Sequence, residues 1–398
     1  MEWKTKGLDE VLFIQEGPGI RKYEYEDGGY PMINVRCVQD GYVDMSKSRS
    51  ANYELATTKW KHFQVEENDI LYTISGTIGR SAIVKKSDLP LLMNTSVVRF
   101  RSLTEFLDTK FVYYAFKTET FIKELLGYST GTAIKNVGPS HLKKMAISYP
   151  PISEQKRIVA LLDTIFADLE QTRAKTEQNL KNARELFDSY LQQVFSQKGE
   201  GWVDGKMTDI CEINTKLIDP KEDEYLELLH IGAGNIVSNT GEIIKLQTAK
   251  EEGLISGKFV FDNSMILYSK IRPYLMKVCR PEFTGLCSAD IYPLSPIKEV
   301  MDKDFLFYLL LSKDFTDYAI SGSGRAGMPK VNRTHLFNYS VSIPPIEKQR
   351  EFIIKINQVA SQSQDLERIY KSKLVTIDEL KKSILQKAFS GELTTSAK

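Results

Sequence analysis

The sequence predicts an α+β chain in which two mixed α/β domains are joined by two long helices that pair as an antiparallel coiled coil. The whole is an internal repeat with an approximate two-fold relation between its halves. Three observations carry that expectation. Segments recur at one fixed offset, two proline- and glycine-free stretches of about 40 residues carry a heptad stripe, and the segments between them alternate β-prone runs with turns.

One internal repeat organises the chain. His141-Leu142 returns as His335-Leu336, Pro150-Pro151-Ile152 as Pro344-Pro345-Ile346, and Gln155 as Gln349, all 194 residues apart. Leu191-Gln192 with Phe195-Ser196 returns as Leu385-Gln386 with Phe389-Ser390 at the same offset. The upstream halves correspond more loosely: Ile70-Leu71-Tyr72 matches Ile266-Leu267-Tyr268 at 196, and Phe111 and Tyr114 match Phe305 and Tyr308 at 194.

After Pro150-Pro151 no proline or glycine interrupts residues 153–196. Apolar or small residues recur there at Ile158, Leu162, Ile165, Leu169, Thr172, Thr176, Ala183, Phe187, Tyr190 and Val194, mostly in steps of three and four. That is the seam of a coiled coil. The second copy has the same register at Phe352, Ile356, Val359, Ser363, Leu366, Tyr370, Ile377, Ile384 and Ala388, and Gly391 follows as a stop signal. A helix of this length spans roughly 60 Å, so its stripe needs a long partner. The matching registers favour the internal pair, and pairing with another chain is the alternative.

The division that follows is 1–150 and 199–344 as variable domains, 151–198 as the first spacer helix, and 345–398 as the second spacer helix with a tail. Residues 65–84 and 259–278 read as β-prone runs with turns, and 111–126 and 305–320 each read as one helix before a glycine-rich loop. Strand order is not readable at this level.

Composition excludes several classes. A chain of 398 residues exceeds one ordinary core. With 42% hydrophobic and 26% charged residues, it has the balance of a soluble globular protein. No apolar run approaches a membrane span, and the first residues lack signal-peptide character, so cytoplasmic residence is expected. Cys37, Cys211, Cys279 and Cys287 are scattered and form no C-x-x-C pair, and no histidine joins them, so neither a disulfide framework nor a metal site is expected.

The net charge is only +1, so any nucleic-acid surface must come from local arrangement. Four windows free of acids stand at matching repeat positions. Residues 70–87 carry Arg80, Lys85 and Lys86, and 263–281 carry Lys270, Arg272, Lys277 and Arg280. Residues 125–153 carry Lys135, Lys143 and Lys144, and 318–346 carry Arg325, Lys330 and Arg333. Phosphate binding needs cations that no carboxylate competes for. Asn136, Tyr274, Asn332 and His335 lie in the same windows and supply groups able to read base edges. An ordinary solvated basic loop is the competing reading.

Catalytic motifs are present only as fragments. Gly322, Gly324 and Gly327 spell G-x-G-x-x-G, but they follow a helix and run into Pro329, the reverse of a dinucleotide loop. Glu154-Gln155-Lys156 resembles a nuclease E-x-K without its upstream acid, and the second copy, Lys348-Gln349-Arg350, has no acid at all. Tyr149-Pro150-Pro151 lacks the asparagine of an amino-methyltransferase loop, and no P-loop or nucleophile elbow occurs. No catalytic residue and no cofactor is therefore assigned.

Over nearly its whole length the sequence resembles type I restriction–modification specificity subunits. The resemblance rests on the duplicated PPI-x-x-Q openings and LQ-x-x-FS closings, the Asp69-Ile70-Leu71-Tyr72 and Met265-Ile266-Leu267-Tyr268 strands, and the C-terminal Phe389-Ser390-Gly391-Glu392-Leu393. It implies two target recognition domains reading a bipartite double-stranded DNA site with a fixed spacer. It also implies docking of two methyltransferase subunits that carry S-adenosylmethionine, and restriction subunits in the full complex. One departure is Gln197-Lys198-Gly199-Glu200-Gly201, which replaces an FSGEL-like ending after the first helix. Other readings are a specificity subunit of a related type II system with fused cleavage and methylation, a DNA-modification enzyme acting alone, and a coiled-coil scaffold.

Overall fold

The computed structural model describes residues 2–129, 136–324 and 329–394. Contacts divide the chain into two compact units, Met1–Thr176 with Lys373–Lys398, and Glu177–Ser372. The units are therefore not consecutive in sequence, and each contains part of both long helices.

In the first unit a four-stranded antiparallel sheet runs in the order Leu12–Glu16, Val97–Ser102, Ile70–Thr73, Ser81–Ile83. Ile70 to Thr73 are all buried, as an apolar run in the middle of a sheet must be. A second sheet joins Arg49–Ala51, Tyr25–Ile33 and Leu92–Met93, the last pair being parallel. A two-stranded ribbon of Lys4–Gly7 and Ala146–Tyr149 leads into the first long helix. Tyr72, Phe100, Phe116 and Phe121 meet edge-on or stacked at the centre of the core, geometries that suit the ring quadrupoles.

The second unit repeats this plan. Its four-stranded sheet follows the equivalent order, Cys211–Glu212, Ile291–Pro296, Ile266–Ser269, Val278–Cys279. Its other sheet has five strands and again holds one parallel pair, Leu229–Ile231 with Gly285–Ser288. The entry ribbon is Val203–Lys206 with Ser340–Ile343.

One sequence expectation is corrected in both units. Residues 111–126 and 305–320 are not single helices: the first is split into Thr109–Ala115 and Glu119–Gly127, the second into Lys303–Leu311 and Lys313–Ser321. The hydroxyls of Thr118 and Ser312 accept from the backbone N–H of Phe121 and Phe315 at 3.3 Å. Such capping restarts a helix instead of continuing it.

The long helices are as expected. They span Ile152–Ser196 and Ile346–Phe389, begin directly after the double prolines, and the second is followed by Gly391 at φ +84°. Every seam position named above is buried or half-buried. Within the first unit Arg173 pairs with Asp378 (2.7 Å) and Glu170 with Lys381 (2.8 Å), so the two helices run antiparallel. Within the second, Arg184 pairs with Glu367, and the Ser363 hydroxyl donates to the carbonyl of Ala183 at 2.5 Å. Leu385 and Ala388 of the second helix close the first unit's core, and Leu191 and Val194 of the first helix close the second unit's core. All four cysteines are buried free thiols. Among the described residues no helix is long and apolar enough to cross a membrane, and no group of metal-binding side chains occurs.

Candidate nucleic-acid interface

The fold brings the two basic windows of each unit together at one place. In the first unit the turn after Ile70–Thr73 forms an isolated bridge, Ser75 to Asn136, and the Val137 N–H donates to the Ile74 carbonyl at 3.0 Å. In the second the equivalent turn bridges Ile271 to Lys330, and the Val331 N–H donates to the Lys270 carbonyl at 2.9 Å. A hairpin turn and the segment after the glycine-rich loop are thus stitched together by backbone bonds at repeat-equivalent positions. Arg80 and Asn136 meet there in the first unit, and Lys270, Arg272, Tyr274, Lys330 and Asn332 in the second.

The second junction is the more constrained. Arg272 and Met276 flank the single turn Pro273–Leu275 and both adopt left-handed backbone, at φ +50° and +44°. A non-glycine residue pays roughly 1–2 kcal/mol for that conformation. The Arg272 N–H donates to the carbonyl of Pro329 at 2.8 Å, which holds the strained residue in place. Its side chain is exposed, as is that of Tyr274. Strain held at an exposed cation is the kind of feature that functional loops carry.

The acid-free property of these windows does not survive folding everywhere. Asp290, outside the window in sequence, places its carboxylate 2.9 Å from Lys330 and 3.5 Å from Lys270. Burial and repulsion from Lys330 lower the pKa of Lys270, against the pull of Asp290. Burial alone would raise Asp290, but its bonds and attraction to the two lysines hold it below the usual carboxylate range. Lys270 is further committed to the carbonyl of Ala289, and Lys277 donates to that of Ala233, both at 2.5 Å. Arg280 is paired with Asp304 at 2.7 Å and covers the Phe307 ring.

Other expected residues sit elsewhere. Lys85 and Lys86 follow the strand Ser81–Ile83, whose Ile83 pairs with Ile70. They therefore lie at the hairpin's other end, about 15 Å from Arg80 by strand rise. The Lys85 N–H is bound by Asp88 at 2.8 Å. Lys143 is exposed at the end of the short helix Pro139–Leu142, and Lys144 beside it is exposed too. Asn332 caps the helix Arg333–Phe337 by accepting from the His335 N–H at 2.7 Å, which leaves its amide NH₂ for other partners. Arg333 donates to the carbonyl of Ile213 at 3.3 Å. His335 and His141 are not presented outward: they stack on Tyr318 and Tyr128 within 12° of parallel. Lys135, Arg325 and Gly327 lie outside the described residues.

One cluster escaped the sequence reading. Arg21, Lys22 and Tyr23 are exposed, Arg21 donates to the Tyr23 hydroxyl at 3.0 Å, and Arg49 stands 5.5 Å from the Tyr25 ring. Interleaved basic and aromatic residues suit nucleic acid. They fall outside the acid-free windows because Glu24 and Glu26 are adjacent in sequence. Glu24 is in fact turned inward, accepting from the Arg21 N–H at 2.7 Å.

Comparison with known proteins agrees with this architecture. Residues 1–180 and 199–375 match the family described as the type I restriction modification DNA specificity domain. The type I restriction enzyme EcoDI specificity subunit of Escherichia coli is 30% identical over 438 aligned residues, covering 99% of this chain and 89% of that protein. The HsdS subunit from Thermoanaerobacter tengcongensis superposes with a TM-score of 0.63 at 18% identity, over 98% of this chain and 97% of that one. A chain from a structure of the type I R-M system, determined for its complex assembly and conformational transition, gives 0.74 at 17% identity, over 97% of each. At such identities the two structural likenesses speak to the fold alone.

Proposed function

The chain belongs to the family of type I restriction–modification DNA specificity subunits, and from that premise we propose that its two stitched junctions each read one half of a divided duplex target. The family assignment makes it a DNA-recognising, non-catalytic component of a modification complex, which answers the scaffold and lone-enzyme alternatives. Beyond that, our reading assigns 1–150 and 199–344 as the two readers and the segments 151–198 and 345–398 as the spacers between them. Two modification subunits would supply methylation, restriction subunits would join in the full complex, and the assembly would work in the cytoplasm.

The observation that carries this reading is the pair of repeat-equivalent bridges, Ser75–Asn136 and Ile271–Lys330, which gather basic and amide residues at each junction, in the second beside a strained turn with an exposed Arg272. Arg80, Asn136 and Lys143 are the contacts proposed for one half-site. Arg272, Tyr274, Lys330, Asn332 and Arg333 are those for the other. Two similar readers meeting one face of B-DNA need half-sites about one helical turn apart, roughly 34–36 Å, so the target has two short specific blocks and a spacer of fixed length.

The test is salt-dependent binding of the chain assembled with its modification subunit. Arg272→Ala is expected to cost on the order of 1–3 kcal/mol at one half-site if the contact is to a base. If it is to phosphate, the variant weakens all sequences and reduces the salt slope by about one. Unaltered affinity and slope for Arg80→Ala, Arg272→Ala and Lys330→Ala together would remove the junctions from the interface.

A further inference from the structure

The glutamines of the two PPI-x-x-Q segments are fully buried. The Gln155 Oε1 accepts from the Asp108 N–H at 2.9 Å, and its Nε2 donates to the carbonyls of Phe106 and Pro150, both at 2.8 Å. The Gln349 Oε1 accepts from the Asp302 N–H at 2.9 Å, and its Nε2 donates to the carbonyls of Val300 (2.8 Å) and Pro344 (2.9 Å). All six partners are repeat-equivalent, and corresponding distances agree within 0.1 Å.

Asp108 and Asp302 are the N-cap residues of the domain helices Thr109–Ala115 and Lys303–Leu311. Each glutamine therefore ties the start of a domain helix to the first turn of a long helix. A second tie stands two turns further along: the Tyr114 hydroxyl bonds Asp163 at 2.7 Å, and the equivalent Tyr308 hydroxyl bonds Asn357. Two ties about 12 Å apart along the long helix oppose rotation as well as sliding. An apolar residue would fill the same space, but its contacts have no direction, whereas three amide hydrogen bonds accept only one orientation.

We propose that Gln155 and Gln349 are positioning residues that lock each recognition domain at one angle on its long helix and so set how sharply the protein discriminates spacer length. This rests on the reading of a divided target. The lever arm makes small angles matter. A domain of about 150 residues has a radius of gyration near 15 Å, so its far face is roughly 30 Å from the attachment. A rotation of about 6.5° then displaces that face by about 3.4 Å, the rise of one base pair.

The experiment uses the chain assembled with its modification subunit and duplexes carrying the target found from methylated host DNA. The spacer is kept, lengthened by one base pair or shortened by one. In the double variant Q155M/Q349M the rate preference for the native spacer is expected to fall at least tenfold. Rejection of a single wrong base within either half-site stays as in the unsubstituted protein. Hydrogen exchange at the amides of Asp108 and Asp302 should quicken at least tenfold while the sheets keep their protection. If the double variant does not assemble, Q155M and Q349M alone are expected to relax the same ratio in part. Retention of the full spacer preference despite faster exchange overturns the role of the glutamines, as does loss of half-site discrimination together with spacer discrimination. An unsubstituted protein that accepts all three spacers equally overturns the divided-target reading itself.

Discussion

Replacing Asp290 by Asn should make the protein bind DNA more tightly, the opposite of what most substitutions near an interface do. Asp290 holds Lys330 at 2.9 Å and Lys270 at 3.5 Å, and all three lie at the second junction. Asparagine keeps the shape and removes one negative charge. Lys270 does not gain from this. It stays on the Ala289 carbonyl, and the loss of Asp290 removes an influence that had been keeping it charged. Lys330 is partly exposed and becomes free. Without its carboxylate competitor the Lys330 contact strengthens toward one full phosphate contact, which steepens the salt slope by up to about 0.9, so between 50 and 200 mM salt the variant loses up to about 3.5-fold more affinity than the parent. Its advantage is correspondingly greatest at low salt. Stability should change little, because a half-exposed pair is worth about 0.2–1 kcal/mol. Fluorescence anisotropy of the assembled complex on duplex DNA, across a salt series, reads both quantities. An equal or shallower slope would show that Lys330 does not face the phosphates.

Three further outcomes are expected. Arg272→Gly relieves the left-handed backbone, so denaturant melts should find it neutral to about 1 kcal/mol more stable, while its DNA affinity falls as for Arg272→Ala. Burial holds the pKa of His230 below 6.5 against the pull of Glu252, so the unfolded chain takes up the proton more readily and stability falls as pH drops below 6.5. His230→Gln should lose less between pH 7.5 and 5.5 in urea titrations, and an equal loss would place the pH response elsewhere. Leu385→Ala removes a buried side chain from the first unit's core and should cost about 2–5 kcal/mol. Hydrogen exchange is expected to register that loss in the sheet of Leu12–Glu16 and its neighbours, although the substitution is near the other end of the sequence.

What was legible in the sequence was whatever depends on period and repetition. The seam residues declared themselves by spacing, and the double prolines and Gly391 marked helix ends for local steric reasons. The helix breaks at Thr118 and Ser312 were visible in principle, since a hydroxyl residue followed by an acid in the next turn (Glu119, Asp314) is a helix-start signal, but the apolar periodicity on both sides masked them. Gln155 was visible as a repeated letter and invisible as a clamp, because its partners are backbone groups of residues 106 and 108. The charge windows failed where the chain folds back. Asp290 reaches Lys270 across a sheet, and Arg80 and Lys85 share a window yet sit at opposite ends of a hairpin. Strand order was out of reach because pairs as short as Leu92–Met93 on Met32–Ile33 carry no pattern of their own.

Ile384, Leu385, Ala388, Phe389 and Leu393 complete a core that otherwise belongs to residues 3–169. On the ribosome that core has to wait. Its sheets and helices emerge early, but the residues that seal it are made about 240 residues after the first domain is finished. At 5–20 residues per second, the Phe111 ring and its apolar neighbours stay uncovered on one side for on the order of 10–50 s. The second unit suffers no such delay, because Leu191 and Val194 precede the domain they serve. Vectorial synthesis therefore separates two nearly equivalent halves: the one begun first is sealed last, and it is the half for which a holding chaperone matters.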